Sequence, residues 1–193
     1  MSLTRDTLMT LEAYAKARPD FRKQVIEHKK HRHVALGNHV TLIFEDELTV
    51  RYQVQEMLRI EKIFEEEGIQ HELDSYNPLI PDGCNFKATM MIEYPDADER
   101  KRELAKLIGI EDRVWVQVAD SSRVYAIADE DLERENEEKT SSVHFLRFEL
   151  APEMASALKN GAALSIGIDH PNYMAAMEPV TADIRNSLVG DLA

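Results

Sequence analysis

Apolar and polar residues alternate along this chain in short segments whose period changes from one segment to the next. Apolar residues at every second position predict strands, and apolar residues three or four positions apart predict helices. Strands are therefore predicted at 33–44, around a turn at Gly37-Asn38, and at 86–94, 114–118, 124–127, 143–150 and 164–168. Capping residues and prolines predict helices that begin at Thr4, Pro19, Glu47, Asp96, Pro152 and Thr181.

This order of elements contains many hairpins and few strand–helix–strand units, which favours an α+β fold. We expect a mainly antiparallel sheet of short hairpins covered by helices, with an N-terminal helical pair. Three parts are predicted: a basic helical pair at 1–33, an α+β core domain at 34–173, and a tail with a short helix at 174–193. A chain of 193 residues is long enough to bury one substantial core.

The longest helical pattern runs from Glu47 to Glu67, with Gly68 as the predicted C-cap, and contains the first candidate site. Glu61 falls in the middle of its apolar stripe. A carboxylate in such a place must be paired, hydrogen-bonded, protonated or bound to a metal. Two interpretations stay open: a salt bridge to an arginine such as Arg147, or a ligand or acid–base role with Gln53 nearby.

Charge is distributed unevenly, because the first 33 residues hold eight Lys or Arg against four Asp or Glu, within a chain of net charge −13. This basic segment is a predicted binding site for a protein partner or a small anion. Its alternative partner within the chain is the acidic run Glu65–Glu67, which closes the predicted helix. The acidic total argues against nucleic-acid binding. The predicted binding residues in the segment are Arg22, Lys29, Lys30, His31 and Arg32.

A second hypothesis is a small metal-assisted enzyme built from separate segments. His144 alternates with apolar residues and is expected on the core side of its strand, where a satisfied core histidine is the alternative to a catalytic one. Asp169 and His170 end the last predicted strand, at a loop mouth where functional residues concentrate. The hypothesis places Glu61, Gln53, Arg59, His144, Asp169 and His170 around one pocket, with Glu61, His144 and His170 as candidate metal ligands.

Other features narrow the choice of function. The chain has no phosphate-binding glycine loop and no nucleophile-elbow motif, and no pattern in it identifies a cofactor. Its single cysteine, Cys84, excludes a disulfide within one chain. The run 129–138 holds seven acids, typical of a solvated loop. The chain shows no apolar run of membrane-spanning length and no signal peptide, so a cytoplasmic protein is expected. A homo-oligomer, in which basic and acidic surfaces of two copies meet, is a third hypothesis.

Several long segments between Leu3 and Tyr173 resemble a bacterial family of proteins of unknown function, domain-of-unknown-function family 3501. The resemblance lies in YQVQEMLRIE at 52–61, YNPLIPDG at 76–83, KATMMIEYP at 87–95 and GIDHPNY at 167–173, among others. The family has no established activity, so no catalytic residue follows from the resemblance. The resemblance also implies a genomic neighbourhood, because the genes of such proteins look like neighbours of genes for rubrerythrin-like di-iron proteins and iron–sulfur oxidoreductase subunits. An accessory or binding role beside a redox or oxidative-stress system is therefore the first hypothesis.

Overall fold

The computed structural model describes residues 2–136 and 138–193. Within that part of the chain, the strands form two antiparallel sheets, with the orders β1-β2-β3-β7-β6 and β5-β4-β8-β9. The α+β prediction is confirmed, and β9 is a strand that the sequence pattern missed. The strands are β1 His33–Leu36, β2 Val40–Glu45, β3 Asn85–Ile92, β4 Val114–Val118, β5 Val124–Tyr125, β6 Ile127–Ala128, β7 Val143–Glu149, β8 Leu164–His170 and β9 Tyr173–Met177.

The helices are α1 Leu11–Lys29, α2 Glu47–Glu61, α3 Glu66–Tyr76, α4 Ala97–Lys106, α5 Pro152–Lys159 and α6 Ala182–Val189. Short 3-10 turns lie at Arg5–Thr7, Asn77–Leu79 and Glu111–Arg113. None of the helices among the described residues is long and apolar enough to cross a membrane.

The two sheets share one hydrophobic core. Phe44, Phe86 and Phe148 fill it from the five-stranded sheet, and Val116 and Ile166 fill it from the four-stranded sheet. The chain itself joins the sheets, because β5 pairs with β4 and β6 pairs with β7 two residues later. At the other edge, the Tyr173 hydroxyl donates to the carbonyl of Leu36 at 2.5 Å. These links fix how the two sheets pack on each other. The candidate site lies on the outer face of the five-stranded sheet.

The predicted N-terminal helical pair is wrong. A single helix, α1, begins after the Thr10 cap and continues through Pro19. An interior proline costs about 3 kcal/mol because it removes a backbone hydrogen bond and crowds the preceding turn. Contacts on both sides of Pro19 compensate for this cost. Arg18 binds Glu56 of α2 at 2.6 Å, and Tyr14, Phe21 and Val25 form an apolar cluster beside α2.

The predicted helix over 47–67 is two helices. Helix α2 stops at Glu61, because Lys62 adopts the left-handed conformation with φ 55°, and α3 begins at Glu66. The three acids at 65–67 therefore open a helix instead of closing one. At a helix N-terminus negative charge is favourable by about 0.3–1 kcal/mol per group, so these acids need no cation from the basic segment. Gly68 lies inside α3 and does not cap α2.

The C-terminal tail enters the same core as the sheets. Ile184, Leu188 and Leu192 are buried with residues of both sheets, and α6 contacts α5. The predicted three-part division stays a prediction. A second apolar cluster holds the helical layer together, with Val50, Val54, Leu58, Ile69 and Leu73 joining α2 to α3.

Candidate functional site

A cleft separates the helical layer from the outer face of the five-stranded sheet. Its larger cavity, of about 450 Å³, is lined by Tyr76 and Leu79 from the helical side and by Lys87, Phe145 and Arg147 from the sheet. A smaller cavity of about 250 Å³ adjoins it and shares Tyr76, Leu79 and Phe145. Concave sites of this size with apolar walls and a few polar groups are typical of small-molecule binding.

Lys87 is one of the charged groups that line the larger cavity, together with Asp74, Glu130, Asp131 and Arg147. It lies on β3, where Phe86 and Ala88 point into the core and Lys87 points out toward the helices, as strand alternation requires. Its amine has no hydrogen-bond or salt-bridge partner among the described residues. Burial, with the nearby Arg147 cation as the next cause, lowers the pKa of Lys87. The cavity therefore holds an amine that forms no hydrogen bond with the described residues, although Glu130 and Asp131 line the same cavity.

Arg147 lies opposite Lys87 in the register of β3 and β7. Its guanidinium is bound by two carboxylates, with Nε and Nη2 on Glu130 at 2.9 and 2.8 Å and Nη1 on Glu149 at 2.5 Å. These bonds raise the pKa of Arg147 and fix its position. Arg147 thus acts on Lys87 as a fixed neighbouring cation, and its own donors are mostly used.

The smaller cavity contains two of the binding residues expected from the sequence. Lys29 and Gln53 line it together with Glu45 and Thr49. The Glu45 carboxylate accepts from the hydroxyls of Thr49 at 2.5 Å and Thr89 at 2.7 Å. The structure therefore brings Lys29 and Gln53 to the same cleft as Lys87, which the sequence analysis did not single out.

A separate buried network surrounds His144. The ring is fully buried, with Nδ1 2.6 Å from Asp129 Oδ2 and Nε2 2.9 Å from Thr140 Oγ1 and 3.0 Å from the Ser141 carbonyl. The prediction that His144 faces the core is confirmed. Glu111 lies 3.8 Å away, and burial raises the pKa of its carboxyl.

Glu111, Asp129 and His144 offer ligand atoms within 4.8 Å of one another, as a metal site would. The 2.6 Å separation of Asp129 from His144 is a hydrogen-bond distance, however. Two ligands on a tetrahedral zinc ion, each about 2 Å from the metal, lie about 3.3 Å apart. Each ring nitrogen of His144 already has an oxygen partner, so we interpret the cluster as a structural hydrogen-bond network.

The run of acids at 129–138 differs from a plain solvated loop. Asp129 turns inward to His144 and also accepts from the backbone amide of Phe145 at 2.9 Å. Arg134 pairs with Asp129 and with Asp131. Glu135 accepts from the amide of Gly109 at 2.9 Å. Glu137 belongs to this run and lies outside the described residues.

The second hypothesis, one pocket holding Glu61, His144 and His170, is not supported by the geometry. Glu61 is exposed at the end of α2 and pairs with no described residue, including Arg147. The expected burial of Glu61 is wrong, because α2 buries Gln55 instead, whose side chain binds the backbone of Met9. His170 binds the Ile108 carbonyl and the Asn172 amide at 3.0 and 3.1 Å, and shares no partner with His144.

The remaining predicted site residues have partners of their own. Asp169 forms ion pairs with Arg113 at 3.0 Å and Arg123 at 3.2 Å, at the edge of the four-stranded sheet. Arg59 donates to Glu56 at 3.1 Å, beside Arg18. Arg18, as the main cause, lowers the pKa of Glu56 to about 2. Asp169 links β8 to residues outside that strand, Arg59 supports Glu56 within α2, and neither lines the cleft.

Arg32 is not available to an outside ligand, so its prediction as a binding residue is wrong. It is 1% exposed, and its guanidinium binds the carbonyl of Phe44, the Asp191 carboxylate and the Asp46 carboxylate. The buried ion pairs of the basic segment are therefore with Asp46 and Asp191, and its contact with the acids at 65–67 is one pair, Arg5 with Glu66 at 3.7 Å. Arg22, Lys30 and His31 are exposed and remain open to a partner.

The sequence pattern did contain a signal for Lys87. A lysine in the outward register of a central strand, between Glu45 on β2 and Arg147 on β7, forms a charged row on a sheet face. What the sequence could not show is that α3 and the turn at 77–79 cover this row and turn it into a cavity floor.

The fold and the cleft define an α+β protein with a small-molecule-sized site between a helical layer and an antiparallel sheet. The chain matches the family described as "Protein of unknown function (DUF3501)" over residues 2–192, and it belongs to that family. A crystal structure of a novel protein of unknown function from Burkholderia pseudomallei is 60% identical, with a TM-score of 0.95 and 100% of each chain covered. No curated protein matches this chain.

Proposed function

We propose that this protein binds a small organic acid with an apolar body in the cleft between the helical layer and the five-stranded sheet. The observation that carries the proposal is the amine of Lys87, which faces a cavity of about 450 Å³ and has no acceptor among the described residues. A carboxylate would supply that acceptor. Phe145, Leu79 and Tyr76 would cover the apolar body.

Two cations, Lys87 and Arg147, would bind the carboxylate of the ligand in a cavity whose lining also carries Asp74, Glu130 and Asp131. Lys87 and Arg147 lie side by side, and Lys29 lines the adjoining cavity. A bound carboxylate would offset the repulsion between the first two cations, and a charge-assisted hydrogen bond contributes about 1.5–3 kcal/mol. The apolar wall adds about 25 cal/mol for each Å² of ligand surface removed from water.

Calorimetric titration with acetate, butanoate and 3-phenylpropanoate tests the proposal. We expect affinity to rise with the size of the apolar body, and Lys87→Met to weaken binding by roughly 10-fold or more, which corresponds to about 1.4 kcal/mol. Lys101→Met, at an exposed position on α4, is the matched control and should leave binding unchanged. Absence of binding by all three acids, or equal binding by the Lys87→Met variant, would contradict the proposal.

We further propose that this binding serves a redox or oxidative-stress system as an accessory function. Support comes from the family resemblance alone, through the rubrerythrin-like proteins that such genes accompany. Arg22, Lys30 and His31 offer an exposed basic surface for an acidic partner. Native mass spectrometry of the protein mixed with a rubrerythrin-like protein is the test, with Arg22→Glu/Lys30→Glu as the variant expected to lose the complex. The same spectra report a homo-oligomer, and two separate monomers in every mixture would contradict both forms of association.

A further inference from the structure

We propose that Lys87 is a nucleophile that forms a Schiff base with a carbonyl carbon of the ligand, so that the cleft takes 2-oxo acids or aldehyde acids. This inference rests on the proposed function and adds a covalent step to it. The observations are the placement of Lys87 on the cavity floor, its lack of a hydrogen-bond partner among the described residues, and the cation fixed opposite it in the strand register.

Schiff-base lysines are activated by apolar surroundings or by a second cation, because both disfavour the ammonium form and leave a free electron pair on nitrogen. Lys87 is partly buried and has Arg147 as a neighbouring cation, and these two effects outweigh the opposing carboxylates of Glu130, Asp82 and Glu149 on its pKa. Its outward position on β3 is covered by the helical layer, and Arg147 cannot move away because Glu130 and Glu149 hold its guanidinium. The lowered pKa of Lys87 agrees with this geometry.

The other lysine of the cleft differs in a way that explains why Lys87 is the nucleophile. Lys29 ends α1, where the negative end of the helix attracts cations. Lys87 lies on a strand and receives no such stabilisation. Lys29 is therefore the cation that attracts the carboxylate, and Lys87 is the amine that reacts.

The step balances without a cofactor. The neutral Nζ of Lys87 attacks the carbonyl carbon, and proton transfer gives a carbinolamine. Loss of one water molecule then gives the imine, with no oxidant or reductant consumed. Hydrolysis regenerates both partners, so the bond is reversible. An added hydride donor converts the imine into a stable secondary amine on Lys87.

The test is reductive trapping of the full-length protein with glyoxylate and cyanoborohydride at pH 7, followed by peptide mass mapping of every lysine. Glyoxylate is small enough to enter without matching the natural ligand. We expect Lys87 to be alkylated at least roughly 10-fold faster than the exposed Lys23 and Lys101, which are internal controls in the same sample. A Lys87→Arg variant should lose the fast phase and keep the slow labelling of the others.

Alkylation of Lys87 no faster than that of Lys23 and Lys101 would overturn the covalent step. If 3-phenylpropanoate still binds and depends on Lys87, the cleft remains an acid-binding site without imine chemistry. If neither 3-phenylpropanoate binding nor fast labelling is observed, both the covalent step and the proposed function are contradicted. An Arg147→Gln variant gives a further check, because loss of the neighbouring cation should slow the labelling of Lys87 while 3-phenylpropanoate binding by the same variant reports that the cleft is intact.

Discussion

Arg32 and Asp191 form an ion pair across most of the chain length, with Nη2 and Oδ2 at 2.5 Å and both side chains buried. Asp46, the cap of α2, lies 3.4 Å from the same guanidinium and is also bound by His28 at 2.5 Å. The pair therefore links the end of the basic segment, the start of α2 and the end of the tail. Part of the segment that the sequence predicts as a docking surface is therefore a buried ion-pair network inside the protein.

Replacing Arg32 with methionine should destabilise the protein by about 3–5 kcal/mol, because it leaves two buried carboxylates without their common partner. Urea unfolding followed by circular dichroism measures the change in the free energy of unfolding. Arg22→Met is the matched control at an exposed position and should change it by no more than about 0.5 kcal/mol. Equal effects of the two substitutions would contradict a stabilising role of the buried ion pairs of Arg32.

Asp191 should also make stability depend on pH. Burial, opposed by Arg32, raises the pKa of Asp191 from 3.8 to about 6. The folded state then binds more protons than the unfolded state between these two values, so this contribution to stability is complete below about pH 4 and is lost as the pH rises through about 6.

The comparison that isolates this effect is the wild type against Asp191→Asn. The difference in free energy of unfolding between the two should change by up to about 3 kcal/mol from pH 4 to pH 7, with the wild type losing stability relative to the variant. The pKa of Asp46 is lowered, so this carboxyl affects stability at a lower pH than Asp191 does. A difference that stays constant over this range would show that Asp191 is ionised throughout.

Much of the fold could be predicted from the sequence because its strands alternate clearly. The Gly37-Asn38 hairpin and the outward face of β3 follow from local pattern alone. The break at Lys62 could not be read in this way, since an apolar stripe continues past it and Gly68 resembles a C-cap. Glu61 keeps the phase of the apolar stripe, but it is the last residue of α2 and is exposed, whereas Gln55 is buried and bonded to Met9.

Part of the candidate site could be predicted from the sequence. Lys29 and Gln53 were selected for charge and for proximity to Glu61, and both line the cleft. Lys87 was missed because its environment is tertiary: the covering helix is separated from β3 by a loop whose path no local pattern encodes. Arg32 was misassigned because its main partner, Asp191, is 159 residues away.

Pro19→Ala should stabilise the protein, because α1 already has helical geometry at this position and only lacks the hydrogen bond that proline cannot donate. Removing the proline should stabilise the folded helix by up to about 3 kcal/mol. The greater freedom of the unfolded chain with alanine offsets about 0.4–1 kcal/mol of this gain. A net gain of about 1–2 kcal/mol should appear as a higher Tm in calorimetry. A lower Tm would mean that the proline sets a bend on which the contact between α1 and α2 depends.

Asp129→Asn should weaken the network around His144 and loosen the loop that follows β6. The carboxylate of Asp129 accepts from the His144 ring, the Phe145 amide and Arg134, and an amide cannot replace all three acceptor contacts. We expect a loss of about 2–4 kcal/mol, since the variant leaves buried donors without full partners.

Hydrogen exchange measured by mass spectrometry checks this, with faster exchange expected in peptides that cover residues 130–142 and little change in β3. Asp131→Asn is the matched control. Asp131 pairs with the same arginine, but its side chain is 56% exposed, and such a pair contributes at most about 1 kcal/mol. If both variants loosen the loop equally, Arg134 holds it and the His144 contact is secondary; if only Asp129→Asn does, the buried histidine anchors the acidic loop to the core.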